Sequence, residues 1–138
     1  MSDIDNINEE NLISAIESCY KYPNYRVLVY TTNIVMPLVT SIIDYLYRLS
    51  RYDKEHYGTE NDFKAKRDMI EFENGSSIRV IKHYNIINAP RGYRVHKILT
   101  DGDVSSNIIE NVLTPYIREY SESENFYNFF KKHLTNEK

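Results

Sequence analysis

Asp101 and Asp103 flank Gly102 at the end of a short apolar run that contains Ile98 and Leu99. Two carboxylates at a strand end can hold a divalent cation such as Mg²⁺, the ion that serves phosphoryl transfer, and a strand-end Asp before Gly is equally a turn former. In open α/β sheets, ligands bind beyond the strand C-termini, where this pair would sit. A second group is basic. Lys64, Lys66, Arg67, Arg79, Lys82, Arg91, Arg94 and Lys97 cluster in sequence, interleaved with His83, Tyr84 and Tyr93. Such a strip can follow a phosphate backbone and stack bases, with Arg79, Lys82, Arg91, Arg94 and Lys97 as the contacts to a partner or to nucleic acid. Asp68, Glu71 and Glu73 offset it, and a solvated charged face is the alternative.

Other chemistries find less to work with. His56, His83, His96 and His133 are scattered, without the H-x-x-x-H or H-E-x-x-H spacing that zinc requires. No serine sits in a G-x-S-x-G elbow, so turns and caps account for them. Asp68, Glu71 and Lys82 flank a hairpin without the Glu-x-Lys step common in metal-dependent nucleases. The single cysteine, Cys19, excludes an intrachain disulfide and a cysteine-based zinc site, and it falls on the apolar side of a predicted helix as an inert thiol.

Composition narrows the partners. The chain has 138 residues, 41% hydrophobic and 27% charged, which suits one globular domain spanning 1–138. A formal net charge of −3 gives no global attraction to nucleic acid, so DNA contact is expected to be weak and local. No stretch approaches the roughly 18–20 apolar residues that cross a bilayer. The acidic start Met1-Ser2-Asp3-Ile4-Asp5 is unlike a signal peptide, so no membrane association and a cytoplasmic location are expected. Thirteen tyrosines, no tryptophan and abundant Asn, Ile and Lys suggest AT-rich coding, as in some bacteria and many of their viruses.

The elements that must position these residues follow from periodicity. Leu12, Ile13, Ile16, Cys19 and Tyr20 predict a helix from about Glu9 to Tyr22, broken by Pro23-Asn24 before the strand Arg26-Val27-Leu28-Val29-Tyr30. Asn33 can cap a second helix that carries Pro37 in its first turn and runs to about Arg51. Tyr52 to Lys66 reads as a polar surface loop. Met69 to Phe72 and Ser77 to Ile81 surround Asn74-Gly75, a hairpin signature. Val95 to Asp101 predicts a strand. Asn107 with Glu110 makes a capping-box pattern for a helix that Pro115 should kink, and Ser121 with Glu124 makes another for a last helix with Phe126, Phe129, Phe130 and Leu134 on one face. The alternation predicts a three-layer α/β sandwich with a mainly parallel central sheet, its strands at Arg26 and Lys97 central and parallel, plus the β-hairpin.

In that order, Arg26 to Asn33 with its following helix, Ile70 to Ile78, Arg91-Gly92-Tyr93 and His96 to Asp101 resemble the ATPase core of the large terminase subunits that package DNA into tailed-phage and herpesvirus capsids. The resemblance covers about Leu12 to Tyr120 and implies a RecA-like, P-loop-type fold. It would align Thr31-Thr32 with the motif after the second strand, Asn74-Gly75-Ser76 with the hairpin turn, Arg91-Gly92 with the turn before the acidic strand, and Asp101 with the Walker B aspartate that helps hold Mg²⁺. The glutamate expected next is replaced by Gly102, and Asp103 comes one place later. The phosphate loop, G-x-x-x-x-G-K-[ST], has no counterpart, because Met1 to Asn8 contain neither glycine nor lysine. The resemblance therefore implies a core lacking its first strand and phosphate loop, with an unpaired sheet edge open to strand addition or self-association. The expected function is a non-catalytic, phage-encoded binding module without cofactor that engages a protein partner or DNA-packaging machinery. The alternative is a composite nucleotide hydrolase using ATP and Mg²⁺, in which Asp101 and Asp103 act and another chain supplies the loop.

Overall fold

A computed structural model of the chain describes residues 4–32, 35–52, 63–82, 94–101 and 104–120. Strand β1 (Ile4–Asn6) leads directly into helix α1 (Glu9–Lys21), whose first turn is capped by the Asn8 side chain accepting from the Asn11 N–H at 2.8 Å. Glu9 and Glu10 at its start and Lys21 at its end complement the helix dipole. Strand β2 (Arg26–Thr31) follows, then α2 (Val35–Tyr52). Strands β3 (Phe63–Ala65), β4 (Met69–Phe72), β5 (Ser77–Lys82) and β6 (Lys97–Thr100) complete the sheet, and α3 (Ser106–Ile108) continues through a π-helical turn, Ile109–Leu113, and a 3₁₀ turn, Thr114–Tyr116.

The described strands form one six-stranded sheet ordered β1-β6-β2-β5-β4-β3. The pairs β1–β6, β6–β2 and β2–β5 are parallel, and β5–β4 and β4–β3 are antiparallel. Strands β2 and β6 are thus parallel and internal, as expected, and they are also direct neighbours. Because side chains alternate across a strand, β2 feeds both layers. Val27 and Val29 join Ile78, Val80 and Leu99 under the buried stripes of α1 (Leu12, Ala15, Ile16, Cys19) and α2 (Val39, Ile42, Leu46). Leu28 and Tyr30 pack on the other side with Ile98, Val104 and Leu113.

Four expectations are corrected. The first strand is present: Ile4–Asn6 pairs with Ile98–Thr100 and occupies the edge expected to stand empty. The segment read as a loop to Lys66 contains β3, which Phe63, buried and edge-on to Tyr47 at 5.5 Å, anchors to the sheet. The strand expected from Val95 is confined to Lys97–Thr100, because Val95 bridges instead to Ile117. The third helix is capped by Ser105, whose hydroxyl accepts from the Ile108 N–H at 3.3 Å, rather than by Asn107, and Pro115 lies in the 3₁₀ turn that ends it. Asn33, the loop residues 53–62 and the last helix with Phe126 to Leu134 lie outside the described residues.

Candidate functional site

Chain connectivity selects one place on this sheet. The helices that leave β1 and β2 both join the layer over Val27 and Val29, whereas the chain leaving β6 joins the layer over Leu28 and Ile98. Strand β6 lies between β1 and β2, so connections diverge to opposite faces on either side of it, which makes its carboxyl end a topological switch point. Asp101 is the first residue past that end.

Three donors converge on one oxygen there. Asp101 Oδ2 accepts from the Thr31 hydroxyl at 2.9 Å, the Thr32 hydroxyl at 3.0 Å and the Thr32 backbone N–H at 2.6 Å. Thr31 is fully buried at the end of β2, and Thr32 is exposed just beyond it. Behind them, buried Thr100 donates its hydroxyl to the Asp101 carbonyl at 3.0 Å. The carboxylate thus ties the ends of the two central strands together through charge-assisted hydrogen bonds. The sequence placed Thr31, Thr32 and Asp101 in separate motifs, and the fold brings them into contact. Asp103 lies outside the described residues.

The neighbouring β1–α1 junction is short. Only Ile7 and Asn8 separate strand from helix, with the Ile7 N–H bonded to the Thr100 carbonyl at 3.0 Å. Asn8 caps the helix, and the Asn11 side chain turns back to the Asn6 carbonyl at 2.8 Å. A phosphate loop works by presenting successive backbone N–H groups to an anion. Here a side-chain oxygen holds one of them and the strand ladder another.

The basic residues are distributed over the sheet. Arg79 is in mid β5, opposite Leu28, with its guanidinium 3.9 Å from Asp68. Lys82 closes β5 beside Thr31 at the carboxyl end. Lys97 opens β6 at the other end and is ion-paired with Asp5 of β1, and exposed Arg94 precedes it. Lys66 pairs with Glu71 at 3.0 Å. Arg91, His83, Tyr84 and Tyr93 lie outside the described residues. Lys82 therefore shares an end of the sheet with Asp101, while Arg94 and Lys97 occupy the opposite end.

No protein-family model, no curated protein and no solved structure matches the chain. Among the described residues no three His, Cys, Asp or Glu side chains are grouped to share a metal ion, and no helix is long and apolar enough to cross a membrane. Cys19 is fully buried in α1, and burial pushes its thiol well above the ordinary range, so the thiolate that would react is disfavoured.

A second cluster, at the amino end of the parallel strands, went unseen in the sequence. Tyr22, Tyr25, His96 and Tyr120 form a ring of aromatic contacts with centroids 5.1 to 5.9 Å apart. The Tyr120 hydroxyl donates to the Pro23 carbonyl at 2.8 Å. Tyr22 and Tyr25 flank the Pro23-Asn24 break and so read as turn neighbours, and nothing in the spacing of His96 or Tyr120 links them to it. The signal available was only the abundance of tyrosine.

Proposed function

We propose that the chain is a non-catalytic binding module on a terminase-like ATPase scaffold, virus-encoded, which engages a protein partner or DNA-packaging machinery through its surface. The observation that carries the reading is the use made of Asp101. A Walker B aspartate helps hold Mg²⁺, whereas one oxygen of Asp101, Oδ2, is engaged by three donors from the neighbouring strand end and ties the strands together. The two-residue β1–α1 junction supports the same reading, because the Asn8 side chain holds the Asn11 N–H and the Thr100 carbonyl holds the Ile7 N–H. The RecA-like assignment rests on the order of the elements, with Asp101 at the end of a central parallel strand and Thr31-Thr32 beside it. The partner is a protein in preference to DNA, since the net charge is −3 and Lys66, Arg79 and Lys97 already stand beside carboxylates.

One observation favours a composite nucleotide hydrolase as the second reading: Asp101 stands at the switch point, where ligands of α/β sheets bind. Calorimetric titration with Mg·ATP separates the two. The binding module gives no heat of binding, and the composite enzyme gives saturable binding that Asp101→Asn weakens.

A further inference from the structure

The aromatic cluster includes a histidine whose protonation state the backbone dictates. The Arg26 N–H donates to His96 Nδ1 at 3.0 Å, and the His96 N–H donates to the Arg26 carbonyl at 2.9 Å. A backbone N–H can only donate, so Nδ1 is an unprotonated acceptor and the ring's proton sits on Nε2. The same ring stacks on Tyr25 at 5.4 Å and meets Tyr120 edge-on at 5.1 Å. Tyr120 ends the segment Ile117–Tyr120, which lies along the start of β6 through a bridge to Val95 and an Arg118 N–H donated to the Val95 carbonyl at 2.8 Å.

We infer that His96 is an acid-released clasp, holding the start of β2 and the strap Ile117–Tyr120 onto β6 when neutral and letting go of them when protonated. Protonation puts a hydrogen on Nδ1 directly opposite the Arg26 N–H, two donors face to face, and the ring must turn away. Turning it removes the surface against which Tyr25 and Tyr120 pack. The charged groups on the elements around the ring are Arg26 on β2, Arg94 and Lys97 on its own stretch, Arg118 and Glu119 on the strap, and Lys21 at the end of α1, where its amine sits 5.2 Å from the Tyr22 ring centre. The titratable rings are Tyr22, Tyr25 and Tyr120. Asp5 offsets Lys97, so four cations against Glu119 oppose a further positive charge, whereas the face of Tyr25 on which the ring stacks favours it, and the Nδ1 hydrogen bond sets the direction. The sign is that of a group folded in its neutral form. The contribution is complete above the ordinary imidazole value of about 6.5 and is lost as pH falls below it.

The test is amide exchange by NMR on the full chain, corrected for intrinsic pH dependence, with imidazole nitrogen shifts recorded in parallel. Protection at Arg26 and Arg118 is expected to fall by about tenfold between about pH 7.5 and about pH 5.5, in step with protonation of His96. His96→Asn presents a non-titrating oxygen near the place of Nδ1 and is expected to keep its protection throughout, and Glu119→Gln is expected to respond like the parent. Equal pH dependence in the parent and His96→Asn overturns the inference, as does loss of the response in Glu119→Gln. Should His96→Asn not fold, the parent's nitrogen shifts decide: a protonated Nδ1 at neutral pH with the strap protected overturns it.

Discussion

Asp101 carries a load that its sequence context disguises. An Asp at the end of an apolar strand invites a metal reading, yet its partners are the hydroxyls and amide of the adjacent strand end. Removing the carboxylate leaves the buried Thr31 hydroxyl without this acceptor, so Asp101→Ala is expected to destabilise the fold by about 1–3 kcal/mol, with Asp101→Asn milder because its carbonyl oxygen still accepts. Denaturant unfolding checks this; unchanged midpoints for both would show that the ties contribute nothing. Cys19 makes the contrasting case, a residue whose role was legible. Its helical spacing placed it on the apolar face, and it is fully buried with its sulfur 3.9 Å from the Ser77 carbonyl. Cys19 is therefore expected to resist a thiol reagent in the native protein and to react fully in denaturant, and rapid native labelling would contradict that placement.

At the scale of elements, the two long helices and the hairpin were legible because their signals are local: a 3.6-residue apolar period and an Asn-Gly pair between β-prone runs. The hairpin turn does more than reverse the chain. Asn74 donates from its side chain to the Cys19 carbonyl at 2.7 Å and accepts from the Ser76 N–H at 3.0 Å, and buried Ser76 donates to the Tyr22 carbonyl at 2.7 Å while accepting from the Tyr25 N–H at 3.0 Å. The turn thus locks onto the α1–β2 connection, where Asn24 takes φ 58° as Gly75 takes φ 90° in the turn itself. Gly75→Ala and Asn24→Ala are each expected to cost about 1 kcal/mol through positive φ, and Asn24→Gly much less. Unfolding midpoints that rank Asn24→Gly below Asn24→Ala would contradict this. Strands β1 and β3 escaped notice for a physical reason. Each has three residues, too few to show alternation, and Asp5, Asn6 and Lys64 give them the polarity of loops. Their pairing with β6 and β4 decides their structure, and pairing is non-local. The sequence pattern pointed to Asn107 as the cap, and the hydrogen bond from the Ile108 N–H to the Ser105 hydroxyl, which residue type does not reveal, decides for Ser105.

For the whole molecule, alternating strands and helices were enough to anticipate an α/β sheet with β2 and β6 parallel and internal, since fully apolar short runs need cover on both faces. The two ends of that sheet differ in character. The carboxyl end gathers Asp101, Thr31, Thr32 and Lys82 at the switch point, and the amino end gathers tyrosines, His96 and several cations. That division is set by strand order, which a single sequence does not display, and it is why the basic residues contiguous around the hairpin separate in space. The proposal that this fold binds a partner without turning over nucleotide depends on the carboxyl end most of all. Calorimetric titration of the purified full chain with Mg·ATP, with Asp101→Asn alongside, tests it most directly. The expected result is no binding heat for either protein. Saturable micromolar binding by the parent that Asp101→Asn abolishes, with the variant still folded, would contradict the proposal and make Asp101 a nucleotide-site residue.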